Sequence, residues 1–236
     1  MNRLRCTALL FIVGVLSACQ LGHDDPVHRG EATFQAYKCT KCHTVAGLDE
    51  QGTLGPDLSF VGFRKSSEFL HRWLINPSAW KPHVSMPNFY LQESVRNDLV
   101  AYLTSLTGQG YLNTVRPWDA KPFRGDSVAR GAEIYERVGC VTCHSKDGAG
   151  GYPNNNVVGD LIPAINTVQE TFSREELIKR IAQGVRHPIQ ADPSGSTPLL
   201  YMPRWEAKLK TDEIEAVADY LMTLSPGDAD ASSEEW

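Results

Sequence analysis

Apolar residues recur at helical spacing near the end of each half of the chain: Leu99, Val100, Leu103 and Leu106 in one, Ile214, Val217, Leu221 and Leu224 in the other. Steps of three and four place such positions on one helix face, which predicts helices over 93–106 and 212–224. Two shorter amphipathic segments, 68–75 and about 174–183, read the same way. The first stops at Asn76-Pro77, because proline disfavours helix at the residue before it. The second opens on Ser173 with Glu176 in capping-box register, and Gly184 stands where a helix-ending glycine belongs. Segments 29–38 and 127–138 complete the set, with Asp126 or Ser127 as N-cap of the latter. No stretch alternates apolar and polar residues as a long strand does. The expected fold class is all-α.

These elements come in two copies. At an offset of 101 residues, Arg29-Gly30 maps onto Arg130-Gly131, Phe34 onto Tyr135, and Cys39-Thr40-Lys41-Cys42-His43 onto Cys140-Val141-Thr142-Cys143-His144. Pro56-Asp57-Leu58 then pairs with Pro163-Ala164-Ile165, and Met86-Pro87 with Met202-Pro203. Tyr102-Leu103-Thr104-Ser105-Leu106 pairs with Tyr220-Leu221-Met222-Thr223-Leu224. Order is kept while the offset grows, as in a duplicated unit whose second copy carries loop insertions. The Pro-to-Met stretch is longer in copy two, and its extra segment, 186–198, is expected to contact the other domain or a partner. The predicted organisation is one domain over 27–107, a linker over 108–125 and a second domain over 126–226, sizes that suit compact units. Gly30 and Gly131 are read as letting the first helix of each copy approach the last, against Tyr102 and Tyr220. In the linker, Gly108, Gly110, Pro117 and Pro122 interrupt any helical period, while Tyr111, Trp118 and Phe123 suggest packing. The tail, 227–236, is acidic and rich in Ser, Ala and Asp, and is expected to be disordered.

With 236 residues, 42% hydrophobic and 22% charged, the chain has an ordinary globular composition. Its one strongly apolar run, 7–18, is shorter than the roughly 20 residues a spanning helix needs. Preceded by Arg3 and Arg5, the run reads as a secretory signal over 1–18. It ends in Leu16-Ser17-Ala18-Cys19, which resembles the bacterial lipoprotein box. That resemblance implies cleavage before Cys19, a lipid anchor on its sulfur and a short tether over 19–26. Two or three acyl chains hold a protein stably on a membrane. The competing reading is plain secretion, with Cys19 an incidental thiol. The anchored form sits on the periplasmic side of a bacterial membrane. Gln20, in place of an aspartate that would resemble an inner-membrane retention signal, leaves inner and outer membrane both open. Removing residues 1–18 takes the formal net charge from −5 to −7. An acidic chain without a Lys/Arg cluster has no surface for nucleic acid.

Four of the six cysteines fall in two Cys-x-x-Cys-His motifs. This is the attachment signature of c-type haem. Two thiols one helical turn apart add across the two vinyl groups of one haem, and the adjacent histidine lies beneath the iron. The expected cofactors are two covalently bound haem c groups, attached through Cys39 and Cys42 and through Cys140 and Cys143. His43 and His144 are the proximal ligands. Disulfides within each cysteine pair would suit an oxidising compartment. A thioredoxin-like site calls for strand–helix alternation, which is missing, and a zinc knuckle calls for closer pairs. Two complete motifs, each with a Met-Pro downstream, favour haem. Met86 and Met202 stand at matching places before the final helix and are the expected sixth ligands; thioether ligation favours ferrous iron. His83 and His71 are rivals in copy one and His187 in copy two, whereas Met222 lies within the last helix as filler. The carbonyls of Pro56 and Pro163 are candidates to accept Nδ1–H of the proximal histidines.

Taken together, the attachment motifs, the Pro-x-Leu/Ile segments, the Met-Pro pairs and the closing Tyr-Leu helices resemble class I cytochromes c arranged in tandem, a diheme cytochrome c. The resemblance implies a few helices wrapped around each haem, low-spin six-coordinate iron and single-electron transfer. It implies redox protein partners, such as a respiratory complex, an oxidase or a reductase. An enzyme is the alternative: a diheme peroxidase needs an iron that opens, and a thiosulfate dehydrogenase-like site favours a cysteine ligand. With four cysteines in thioether bonds and Cys19 acylated, the mature chain has no spare thiol. A haem-based sensor would bring a signalling domain, and none is present. The expectation is an electron carrier, tethered to a membrane or held as a subunit of a complex.

Overall fold

The computed structural model describes residues 25–226. The secretory signal, the lipoprotein box with Cys19 and the acidic tail lie outside the described residues. Helix α1 (Pro26–Ala36) begins three residues earlier than the spacing predicts, because Asp25 accepts the Val27 amide at 3.1 Å and Pro26 occupies the first turn. Helix α2 (Ser67–Ile75) is capped by Ser66 and stops at Asn76. Helix α3 (Glu93–Ser105) closes the first copy. In the second copy, α4 (Ser127–Arg137) is capped by Asp126, and α5 (Arg174–Gln183) forms the reciprocal Ser173–Glu176 box and ends on Gly184 at φ 66°. Helix α6 (Thr211–Leu221) closes that copy. Among the described residues there are no extended strands, only isolated antiparallel bridges such as Val185 with Met202.

Each copy is built on a crossing of its first and last long helices. A Cβ on Gly30 would run into the Asp98 carbonyl, and one on Gly131 into that of Ala216, so only glycine allows α1 on α3 and α4 on α6 at this spacing. Arg29 clamps the first crossing with two bonds to Asp98, 2.9 and 2.7 Å. Phe34, Phe69, Leu70, Leu74, Leu99 and Leu103 fill the first core. Ile134, Tyr135, Leu177, Ile181, Val217 and Leu221 fill the second.

The copies interlock. Phe60 of copy one belongs to the second core, stacked on Tyr111 and edge-on to Trp205. Leu200 of copy two belongs to the first core, with Tyr152, Ile162 and Leu199 packed around it. The linker is more ordered than its glycines and prolines predict: it forms a helical turn at Gln109–Leu112 and 3-10 turns at Pro117–Asp119 and Lys121–Phe123. Tyr111 and Trp118 are buried. Trp118 Nε1 donates to the fully buried Glu213 at 2.7 Å, and Arg116 pairs with the same carboxylate. The linker is thereby a part of the second core. Segment 186–198 is mostly exposed and held by its own copy, with Asn156 bridging Asp192 and Ser196 at 2.8–2.9 Å. Leu199 and Leu200, just after it, make the crossing to the first core.

Candidate functional site

At the end of α1, Lys38 adopts φ 59° and turns the chain into the 3-10 turn Cys39–Lys41. The turn brings the His43 amide onto the Cys39 carbonyl at 3.0 Å, so both thiols and the imidazole are presented within one turn. In copy two Gly139, at φ 86°, does the work of Lys38, and the His144 amide meets the Cys140 carbonyl at 3.1 Å. All four cysteines are free thiols, so the disulfides weighed above are not formed. Burial raises the Cys39 thiol to about 11 and the Cys140 thiol to about 12. Cys143 is also penalised by burial, yet its pKa falls, because the cations Lys65 and Arg64 stand beside it.

Both histidines are neutral at pH 7. Burial lowers the His43 pKa, opposed by the Pro56 carbonyl and by Asp57. Nδ1 of His43 lies 2.9 Å from the Pro56 oxygen, which fixes the tautomer with the proton on Nδ1 and leaves Nε2 bare. Gly55 backs this ring; a Cβ there would strike it. Burial pushes His144 down to about 4, helped by the charge of Lys65. The Pro163 carbonyl raises its basicity in part. It nevertheless stays outside hydrogen-bond geometry, and Nδ1 of His144 is buried with no partner among the described residues. Two free thiols beside a half-buried neutral imidazole, twice over, form a donor set that fits a covalently attached haem.

Met86 is half-buried against the first core, and Trp73 Nε1 stands 3.1 Å from its sulfur. Met202 is half-buried against the second core, its backbone paired with Val185 at 2.8 and 3.1 Å. His83 and His187 are exposed, and His71 is half-buried on α2. Met222 ends α6 and packs on the second core. Counting from the caps Ser66 and Ser173, the place of Trp73 is taken in copy two by Arg180, which lies over the Phe172 ring.

Three features at the site escape the sequence. Arg64, buried, donates to Thr142 Oγ1 at 2.6 Å and to the Gly139 carbonyl at 3.2 Å across the domain boundary, and to the Asp57 carbonyl at 3.1 Å. Lys65 Nζ lies 3.2 Å from Cys143 Sγ, over the rings of Phe69 and Tyr152. Next to Pro56, Asp57 accepts from Ser59 N at 2.8 Å and Oγ at 2.5 Å, and from the Tyr111 hydroxyl at 2.5 Å. The sequence singles out neither Arg64 nor Lys65, because their partners Gly139, Thr142 and Cys143 lie 75–78 residues away.

Among curated proteins, the Cbb3-type cytochrome c oxidase subunit CcoP of Helicobacter pylori (strain 52) is 23% identical over 209 residues, or 87% of this chain and 61% of that one. A second Helicobacter pylori CcoP is 22% identical over a span of the same length. The chain thus spans about three fifths of the length of these relatives. The reducing HAO-like protein complex of Kuenenia stuttgartiensis contains a chain that aligns over 84% of this one and 96% of its own length, at 20% identity and a TM-score of 0.30. The cytochrome c family profile matches residues 27–107 and again 128–225. With each match containing one Cys-x-x-Cys-His motif, the chain belongs to the cytochrome c family, as two tandem cytochrome c domains that carry two covalently bound haem c groups.

Proposed function

We propose that the chain is a diheme relay in which His43 and Met86 ligate one iron and His144 and Met202 the other. Cys39 and Cys42, and Cys140 and Cys143, form the thioether bonds. The observation that carries this reading is the duplicated donor set: in each copy a neutral, half-buried histidine beside two free thiols, and a methionine packed on the same core. When bound, each haem supplies a reversible one-electron couple. The chain supplies the tuning. Pro56 orients His43 and makes it a stronger donor, whereas the Pro163 carbonyl acts on His144 without completing a hydrogen bond. Met86 and Met202, as thioether ligands, would favour the ferrous state.

With His43 and Met86 holding one haem and His144 and Met202 the other, neither iron would offer a position to substrate, which supports a carrier over an enzyme. The domains run over 27–107 and 126–226, and 108–125 is a linker packed onto the second. No helix among the described residues is long and apolar enough to cross a membrane. The anchor in this reading is lipid on Cys19, which holds the carrier on the periplasmic side of a bacterial membrane. Likeness to oxidase subunits of the CcoP type makes a respiratory oxidase complex the partner class of choice.

The oxidised protein should show the weak methionine–Fe(III) band at about 700 nm. Met86→Ala and Met202→Ala should each abolish part of that band and lower one of two redox waves. Ready binding of cyanide by the resting protein, or a wave unmoved by its own methionine variant, would overturn the ligand assignment. Mass spectrometry of the native N-terminal peptide should find acylated Cys19, and an unmodified thiol there would remove the anchor.

A further inference from the structure

The two copies are not electrostatically equivalent. The attachment motif of copy two is approached by two cations that belong to copy one, Arg64 and Lys65, both buried. Arg64 meets only uncharged acceptors: the Gly139 and Asp57 carbonyls and the Thr142 hydroxyl. Its Nε has no partner among the described residues. The Asp57 carboxylate, whose charge Arg64 feels, is taken up by Ser59 and Tyr111. Lys65 points at the Cys143 sulfur itself, with the aromatic faces of Phe69 and Tyr152 beneath its ammonium group. Neither cation has a carboxylate within ion-pair distance among the described residues. By contrast, the motif of copy one carries a solvent-exposed pair of opposite charges, Lys41 and Glu50.

We infer that Arg64 and Lys65 of copy one act as positioning residues that raise the potential of the copy-two haem above that of copy one, so that electrons pass from copy one to copy two. The inference rests on the ligand reading above. Oxidising a haem iron adds one positive charge, and a fixed cation nearby opposes that addition. Inside a protein such repulsion exceeds its value in water several-fold, and salt screens it little. The proximal ligands act in the same direction. His43 is strengthened as a donor by its hydrogen bond to Pro56, which favours ferric iron in copy one, while the Pro163 carbonyl raises the basicity of His144 without completing such a bond. With both haems bound, one electron would pass from the group held by His43 to the group held by His144, the first oxidised and the second reduced, with no bond made or broken.

The test is a redox titration of the full diheme protein followed by absorbance, with the copy-two wave identified through Met202→His. Wild type should show copy two as the higher wave, with the separation nearly unchanged between low and high salt. Lys65→Gln should lower the copy-two wave so that the equilibrium constant for electron transfer between the copies falls about tenfold, or about 59 mV for a one-electron couple. The copy-one wave should move much less, and Lys65→Arg should restore the wild-type order. A copy-two wave at or below that of copy one in wild type, or one that ignores Lys65→Gln, overturns the inference. If Lys65→Gln fails to fold, the order of the waves in wild type and its salt response still decide. A protein with only one c-type wave would instead sink the diheme ligand reading on which the inference stands.

Discussion

Desolvation and neighbouring charge pull the thiols of copy two in opposite directions. Cys140 needs strong alkali to ionise, at about 12, because burial outweighs the attraction of Arg64. Cys143, equally enclosed, ionises more readily than a free cysteine, because Lys65 and Arg64 together outweigh its burial. In haem-free protein, alkylation of Cys143 should therefore rise at a pH below the ordinary thiol value, and that of Cys140 well above it, since the thiolate is the reacting form. Peptide mapping after iodoacetamide treatment across pH reads both sites. Lys65→Gln should move the Cys143 profile upward, and a Cys140 profile lying below that of Cys143 would contradict the charge assignment. The cysteines and histidines themselves are legible in the sequence because their spacing is local: five consecutive residues carry the chemistry. Lys65 is illegible because what makes it matter lies 78 residues away.

At the scale of elements, the crossing of first and last helices controls the stability of each copy. Gly30→Ala and Gly131→Ala insert a methyl where a backbone carbonyl already sits, so each should destabilise its copy by about 1–3 kcal/mol. Thermal unfolding would show it, and a tolerated Gly30→Ala would mean that α1 and α3 can separate freely. Arg29 adds a pH-dependent part. Its hydrogen bonds hold the Asp98 carboxyl below its usual pKa. The stabilisation is then complete above the ordinary carboxylate pKa and is lost as pH falls through the lower folded value. The melting-temperature difference between wild type and Asp98→Asn should accordingly be present at neutral pH and close in acid; a difference that widens in acid would reverse the sign. These helices can be read in advance because caps and apolar spacing are local, as Ser173 with Glu176 and Leu99 with Leu103 illustrate. The ordered linker cannot, since Trp118 and Tyr111 gain their places from Glu213 and Asp57, far along the chain.

For the molecule as a whole, the same exchange of residues that hides the linker from the sequence makes the copies one mechanical unit. Phe60 completes the second core and Leu200 the first, so neither core is whole without the other copy. Trp73, whose N–H meets Met86, stacks on Tyr152 of copy two at 6.4 Å, which joins the two candidate haem environments through the interface. A chain built this way should unfold in one transition, with both copies losing structure together. The weakest link to probe is Glu213, buried among Arg116, Trp118 and the Lys210 amide. Removing one partner of a buried charge pair typically costs about 3–5 kcal/mol, because the other is left uncompensated. Glu213→Ala should therefore free the linker and split the single transition into two, copy two melting first. Calorimetry on the intact diheme protein reads the split directly. One sharp transition at an unchanged temperature would mean that the linker contributes nothing to the union, and that the shared cores alone hold the copies together.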